Sequence, residues 1–463
     1  MQSSFDVVIL GSGPAGYVAA IRAAQLKKTV ALVEKNELGG VCLNLGCIPT
    51  KALLKSAEMA HWMCHQASEF GFRVSYETDF KNVIDRSRRV ADQLNKGIQG
   101  LMRKHKVTVV KGIGCIQSSN RLGVKGIGGD GTETVLGFKH LIIATGASAK
   151  TLPSLKPDGK TIVTSREAML QSQAPKTLGI VGGGAIGVEF AYFYQNMGTQ
   201  VTVIEAMDRL VPVEDEEVSQ ALERSFKKSG IQIKTKTLVQ ASQVRQGKVT
   251  LSYASGGSDG FDQVLVAIGV IGNTEGIGLE RVGIRVEKGH IPVNTMMQTR
   301  VPEIYAVGDV IGPPWLAHVA SHEAIVAVEH LAGLNPKPLN PNHTPACTYC
   351  QPQIASVGMT EAKAKKAGHA VKVGRFPFRA SGKAIAGGDA EGFVKLVFDA
   401  KFGELLGAHL IGHDVTEMIS GLTALMTAEA TVDELIHTIH PHPTCSEALL
   451  EAALDSEGRA IHI

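Results

Sequence analysis

At 463 residues the chain is long enough for about three domains of ~100–200 residues each, and 44% hydrophobic against 20% charged residues lets it bury full cores. A formal net charge of +3, with no long basic run interleaved with aromatics, argues against nucleic acid as a partner. No apolar stretch reaches the ~18–20 residues of a bilayer span.

The first strand-like run, Phe5 to Leu10, begins almost at the N-terminus and leaves no room for a leader; the expectation is a cytoplasmic chain, or one whose targeting segment is already removed. The segment reads DVVILGSGPAGYVAAIRAAQLKKTVALVEK: a strand at Val7–Leu10, a turn carrying Gly11, Gly13 and Gly16, a helix, and a second strand from Val30 to Val33 closing on Glu34. Each glycine has a mechanical task. Gly11 permits the tight turn, Gly13 lets backbone touch a pyrophosphate, and Gly16 lets the helix pack close to the strand. The opening helix turn offers unpaired N–H groups to phosphates, and Pro14 fits there because its missing N–H is no loss.

The pattern recurs in LGIVGGGAIGVEFAYFYQNMGTQVTVIEA, with Gly182, Gly184 and Gly187 in the turn and Glu205 closing the second strand at the same spacing. One such motif is weak evidence; two in full strand–turn–helix–strand context predict two dinucleotides. A terminal carboxylate accepts hydrogen bonds from ribose hydroxyls and repels a 2′-phosphate, so Glu205 predicts NAD rather than NADP, with Arg209 nearby as a softening influence. Glu34 suits an FAD adenosine ribose in the same way.

Between the two units, ELGGVCLNLGCIPTKALL holds Cys42 and Cys47 behind Gly39 and Gly40. A disulfide over so short a loop removes little unfolded-state entropy, which points to chemistry instead of stapling. A helix is expected to start near Pro49, and a helix N-terminus beside Lys51 favours thiolate. The remaining cysteines, Cys64, Cys115, Cys347, Cys350 and Cys445, suggest no extracellular framework. Cys347 and Cys350 form a C-x-x-C near His343, but a fourth zinc ligand is not evident. Read as residues three apart on a strand, the two face opposite sides, and no metal site is expected.

GGVCLNLGCIPTKALL resembles the active-site segment of the pyridine nucleotide–disulfide oxidoreductases, and its KALL ending resembles the dihydrolipoamide dehydrogenase branch. The likeness continues through GGGAIGVEF, TRVPEIYAVGDV and LAHVASHEA to HPHPTCSEALLEA, covering essentially the whole chain. It implies an α/β fold with two Rossmann-like dinucleotide-binding domains, arranged as in glutathione reductase, plus a C-terminal α+β dimerisation domain. The implied division is an FAD-binding part at 1–149, an NAD-binding domain at 150–275, a central segment completing the FAD domain at 276–343 and an interface domain at 344–463. The Pro/Asn-rich stretch Asn335–Pro345 is the clearest linker. Strands are expected at Ile354–Val357 and Phe393–Phe398, followed by helices.

The resemblance also assigns roles. Cys42 becomes the thiol that exchanges with substrate and Cys47 the one that contacts the flavin. His442 becomes the base, oriented by Glu447; taken singly His442 would read as a structural histidine, and His440 competes with it. A histidine held by a carboxylate is chemically suited to take a thiol proton near neutral pH. Lys51 is matched to a lysine beside the flavin and Glu189 to its partner, although Glu189 alone reads as a helix-surface acid. Asp309 is matched to a ribityl contact, and Thr145 and Gly146, after the strand Leu141–Ile143, to a crossing close to FAD. Ala317 corresponds to a backbone contact at the flavin pyrimidine, and Gly112 to an approach to the adenine. Gly269 opens the run that carries arginines in many relatives but reads Val270, Ile271, Gly272, Asn273 here. Cys445 stands where a leucine is usual.

The activity so implied is oxidation of protein-bound dihydrolipoyl groups with reduction of NAD, through a Cys42–Cys47 disulfide and FAD. The implied setting is a homodimer serving lipoyl domains of 2-oxo acid dehydrogenase or glycine-cleavage complexes. Two rivals remain at this point. One is an NAD(P)H-dependent reductase of another disulfide on the same fold; the other is a flavoprotein scaffold kept for binding a partner complex.

Overall fold

A computed structural model describes residues 3–127 and 133–463. Two compact units are formed: Met1–Ala52 with Asn82–Lys150 and Gly269–Leu339, and Leu53–Lys81 with Thr151–Ile268 and Asn340–Ile463.

In the first unit a mixed sheet has strand order Thr108–Lys111, Val30–Glu34, Ser4–Leu10, Glu133–Ile143, Arg121–Lys125, Ile113–Ser118, with Ile304–Ala306 also pairing to Glu133–Ile143. The Ser4–Leu10 strand is central and parallel to both neighbours, Leu10 standing opposite Val33 on one side and Ile143 on the other. A parallel strand covered on both faces must be apolar on both, which explains the unbroken VVIL run. From Val7 onward its side chains alternate accordingly: Val7 and Ile9 join one core, Val8 and Leu10 the other. The first core is closed by two alanine-rich helices, Pro14–Gln25 and Ala317–Leu331, through Ala19, Ala20 and Ala23 against Ala320, Ala324 and Ala327. Such small side chains let helix and sheet approach closely.

The second unit repeats the theme with a parallel sheet in the order Gln232–Lys234, Gln200–Ile204, Thr177–Val181, Gln263–Val266, Ile162–Val163. It adds an antiparallel sheet in the order Ala346–Thr348, Gln353–Gly358, Leu405–Gly412, Phe393–Asp399, Val371–Pro377. Leu405–Gly412 is buried along its whole length, and helices Val415–Thr427 and Glu447–Ser456 supply Leu422, Ile419, Leu449 and Ala452 to the same core. The fold class is therefore α/β with two dinucleotide-type sheets and a C-terminal α+β region.

The C-x-x-C expectation needs correcting. Cys347 lies on the strand Ala346–Thr348, but Cys350 lies beyond its end. The ladder stops because the Tyr349 N–H is diverted to the Glu189 carboxylate at 2.9 Å and the chain then turns through Pro352. Cys350 is fully buried and donates to the Pro352 carbonyl at 3.5 Å.

Within the second unit, Lys395 ties the C-terminal sheet to the helix Glu216–Lys228. Its side chain is 3% exposed, and its ammonium sits 3.1 Å from Asp215, 2.6 Å from Glu217 and 3.0 Å from Glu361. Arg375 reinforces the cluster from Glu217 at 2.7 Å. Asp215 also caps the helix by accepting from the Glu217 N–H. Removing Lys395 leaves the buried Asp215 without its cation, while Glu217 and Glu361 keep Arg375, so Lys395→Met is expected to destabilise by about 3–5 kcal/mol, read as a fall in Tm. Arg375, and then Lys395, hold the Glu217 carboxyl down to about 2 against its ordinary 4.5. A depressed carboxylate contributes stability above its unfolded pKa and loses it as pH falls through the folded one. The stability gap between the parent and Glu217→Gln should thus be full at neutral pH and close as pH drops from about 4.5 toward 2, measured by denaturant titration across that range.

Candidate active site

The first glycine turn is built by backbone meeting backbone. Gly11 has φ +103°, and a Cβ there would lie 2.3 Å from the Ala144 carbonyl oxygen; a Cβ on Gly16 would lie 1.9 Å from the Gly11 oxygen. Neither position tolerates a side chain. Gly13 differs: a Cβ there meets nothing within 4 Å, which is the space a ligand's phosphates need if the turn is to serve them. Gly13 caps the helix Pro14–Gln25, whose N1 residue is Pro14. Glu34, 9% exposed, then locks the turn from below. Its carboxylate accepts from the Ser12 N–H at 2.9 Å and hydroxyl at 2.6 Å, and from the Asn36 N–H at 2.7 Å. An open cavity of about 390 Å³ adjoins it, lined by Leu38, Met102, Arg103 and Lys111 among others. Gly112 donates to the Glu34 carbonyl at 2.9 Å and so stands at the same sheet edge.

The second turn repeats the construction. Gly182 has φ +110° with the Ala267 oxygen 2.3 Å from its would-be Cβ, Gly187 faces the Gly182 oxygen at 1.9 Å, and Gly184 is open. Glu205 accepts from the Gly183 N–H at 2.6 Å and the Met207 N–H at 2.7 Å. An ionised carboxylate has about four acceptor sites. Glu205 has two left, which matches a vicinal pair of ribose hydroxyls.

The cysteine pair rests directly on the first turn. Gly39 donates to the Ser12 carbonyl at 3.0 Å, and Gly40 lies so near Gly13 that a Cβ would be 2.6 Å from the Gly13 Cα. Cys42 follows in the short helix Gly40–Leu45, and Cys47 opens the helix Cys47–His61. Asn44 ties the loop to the Leu38 and Gly40 carbonyls, and Arg88 donates to the Asn44 carbonyl at 2.6 Å. The two sulfurs are hydrogen-bonded to each other. That bond first, and burial second, push the Cys42 thiol well above its ordinary range, while Lys51 pulls the other way.

Near the pair, Asp309 is half-buried within electrostatic reach of Cys42, and desolvation raises its carboxyl. Gly308, beside it, donates to the buried Glu323 at 2.7 Å. Ala317 is the first residue of the helix Ala317–Leu331. Thr145 and Gly146 are clamped by Asn273, which accepts from the Thr145 hydroxyl at 2.8 Å and donates to the Gly146 carbonyl at 2.9 Å. Gly269, at φ +108°, accepts from the Lys150 N–H. Three of these supports are not legible from the motifs: Ser12, Glu323 and Asn273. The buried glutamate inside an otherwise apolar helix face was the available signal for Glu323.

In the second unit, Glu189 is 6% exposed and its carboxylate receives the Tyr349 N–H. The surface-acid reading of that residue is overturned, since its helix, Ala185–Asn196, is buried through this turn. His442 and Glu447 meet as expected, Nδ1 to Oε1 at 2.9 Å. The other Glu447 oxygen accepts from the Thr444 N–H at 2.9 Å; this bond, then His442, hold the Glu447 carboxyl below its usual range. With Nδ1 turned to a carboxylate, Nε2 is left as the acceptor, and the His442 side chain is 80% exposed. His440 has a buried Nε2 without a hydrogen-bond partner among the described residues, and burial lowers its pKa. Cys445 is half-buried and its thiol is raised, chiefly by burial. No group of three or more possible metal ligands occurs among the described residues, and no helix among them is long and apolar enough to cross a membrane.

Residues 5–324 match the pyridine nucleotide-disulphide oxidoreductase profile, and residues 344–453 match the dimerisation domain of the same family. The chain is 48% identical to a dihydrolipoyl dehydrogenase of Zymomonas mobilis over 471 aligned residues, and 46% identical to one of Bacillus subtilis over 480, each match covering 100% of both chains. Among solved structures, LpdA of Mycobacterium tuberculosis superposes with a TM-score of 0.91 at 28% identity, covering 98% of this chain and 99% of that one. The HOCl-induced flavoprotein disulfide reductase RclA of Escherichia coli gives 0.87 at 27%, covering 97% and 99%. Since the profile match takes in both glycine turns and the cysteine pair, the chain belongs to the pyridine nucleotide-disulphide oxidoreductase family.

Proposed function

We propose that this chain is a dihydrolipoyl dehydrogenase, oxidising lipoyl-bound dithiols with NAD as the final acceptor. The observation that carries the reading is the Cys42–Cys47 pair seated on the first glycine turn, in a chain similar over its full length to dihydrolipoyl dehydrogenases. The rival reductase of another disulfide draws on the 27% likeness to RclA, and is the less favoured for that reason.

The residues fit the cofactors on their own terms. FAD would be held by Gly11, Gly13, Gly16 and Glu34, with Gly112, Thr145, Gly146, Asp309, Ala317 and Lys51 around it and Glu189 assigned, like Lys51, to the flavin side. NAD would be held by Gly182, Gly184, Gly187 and Glu205, with Gly269 assigned to the NAD side. Open space at Gly13 and Gly184 and two spare acceptor sites on Glu205 support this. Bound FAD supplies the two-electron chemistry that links the cysteine pair to NAD.

The protein's part is proton and sulfur management. His442 takes the proton of a dihydrolipoyl thiol; the thiolate attacks Cys42 of the oxidised pair, the Cys42–Cys47 bond breaks, and Cys47 leaves as thiolate. The second substrate sulfur then displaces Cys42, releasing the cyclic disulfide, and Cys42 takes up a proton. A base is needed because the thiolate is the nucleophile and an ordinary thiol, with a pKa of about 8.5, is mostly protonated at neutral pH. Glu447 fixes the His442 tautomer that can accept. The dimerisation-domain match supports a homodimer. Lipoyl-domain partners, a cytoplasmic setting and the division at residues 149, 275 and 343 belong to the same proposal.

Cys47→Ser should retain flavin yet lose NADH formation from dihydrolipoamide by at least ~10³-fold; undiminished turnover would sink the reading. His442→Ala should cut turnover by about 10²–10⁴-fold, with Glu447→Gln falling less and shifting the pH profile, followed by steady-state rates across pH. Gly13→Ala should fold normally, because its methyl meets nothing, but should be purified with little flavin, as the absorbance ratio of flavin to protein will report.

A further inference from the structure

One helix carries more net positive charge than the whole chain. Phe80–Lys104 holds seven lysines and arginines against two aspartates, a net +5 in a chain of net +3, so everything else sums to −2. The inner face of this helix is committed to packing. Ile84, Ala91, Ile98 and Met102 are buried along it. Asn95 donates to the Leu38 carbonyl at 2.7 Å, and Arg88 donates to the Asn44 carbonyl at 2.6 Å. Leu38 and Asn44 bracket Cys42 in the chain, so the helix buttresses the cysteine loop from within its own unit.

The outer face is a row of cations. Arg89, Lys96 and Lys104 are exposed, and their spacing of seven and then eight residues sets them on one side of the helix over about 22 Å. None of the three has an acidic partner among the described residues. Arg103 is set apart from them, since it lines the cavity beside Glu34. Asp92 is the one exposed acid of the helix, and its charge acts on Arg88. Leu94 and Leu101, also seven residues apart and exposed, flank the row. Unpaired like charges held on one rigid face raise a positive potential, which an acidic surface brought against it relieves. Nucleic acid fits less well, because the exposed positions of the helix offer no aromatic ring for a base to stack on. A bilayer fits less well too, because the apolar stripe of the helix is used up in the core.

We propose that the Arg89–Lys96–Lys104 row is the docking face for an acidic patch on the protein that carries the substrate dithiol. The inference rests on the dihydrolipoyl reading, in which the substrate sulfurs reach Cys42 on a macromolecule that is caught and released in each turnover. Exposed charges are screened by salt and add little to the strength of a settled contact. They act on encounter, raising the association rate of an oppositely charged partner. A cationic row on the buttress of the cysteine loop draws the carrier to the element beside its target, without a tight contact that would delay release.

Steady-state rates of the flavin-loaded protein with two substrates test this: free dihydrolipoamide, which is uncharged, and the reduced lipoyl domain of a 2-oxo acid dehydrogenase, chosen with a net negative charge. With Arg89→Glu, Lys96→Glu and Lys104→Gln combined, kcat/KM for the domain is expected to fall about tenfold at low salt with kcat unchanged. The difference should shrink toward ~twofold at ~0.5 M salt. Free dihydrolipoamide should be turned over as by the parent, and matching Tm and flavin content separate a lost encounter from a lost fold. Arg89→Gln with Lys96→Gln should show a smaller fall of the same kind, which judges the proposal even if the reversal unfolds the protein. An unchanged kcat/KM for the domain, or equal falls for both substrates, would overturn the docking face. Binding to phosphatidylglycerol vesicles that the reversal abolishes, with domain kinetics unaltered, would give the face to a membrane and overturn it likewise. Failure of the parent to turn over either substrate would instead overturn the dihydrolipoyl reading on which the proposal rests.

Discussion

In each half of the molecule a helix runs so close over the end of a strand that one backbone carbonyl occupies the place of a side chain five residues further on. At Gly16 and Gly187 the gap to a would-be Cβ is 1.9 Å, so sterics and not conformational freedom alone dictate the residue there. The approach fixes where the helix begins and hence where its unpaired N–H groups point. It also fixes the height at which anything resting on the turn must sit. Gly40 rests on Gly13 in this way, and the position of the cysteine pair follows from it. Binding, electrostatics and redox chemistry are therefore consequences of one packing distance.

The carboxylates at the strand ends complete that arrangement. Glu34 and Glu205 are buried, yet each is bonded to N–H groups of the turn above it, which makes burial of the charge tolerable. They act on the protein before any ligand arrives, holding the turn in the shape a dinucleotide requires. Such preorganisation lowers the ordering cost of binding.

Much of this was legible in the sequence because it is written in local patterns: glycine spacing, apolar runs and the acids that close the strands. The His442–Glu447 contact was legible through the motif that carries both residues. What stayed hidden depends on partners distant in the chain. Asn273 serves Thr145 from 128 positions away, and nothing in its neighbourhood marks it. Glu189 read as a surface acid because helix periodicity cannot show that its helix is buried and that Tyr349 presents it an N–H. Cys350 was placed on a strand that ends before it, for the same reason: the ladder is cut by a bond to a residue 160 positions earlier. The positive φ of Val211, +41°, was equally out of reach, since a valine gives no hint of it.

The loops after Glu34 and Glu205 both return to their glycine turns through a residue of positive φ, Gly39 donating to the Ser12 carbonyl and the buried Val211 to the Gly183 carbonyl. A loop closed by glycine gives up more chain entropy on ordering and reopens with little local resistance; one closed by a buried, strained valine is released only when its packing lets go. Amide exchange should separate them. The Gly39 N–H then reports a brief local opening, and the Val211 N–H the opening of a larger cooperative piece.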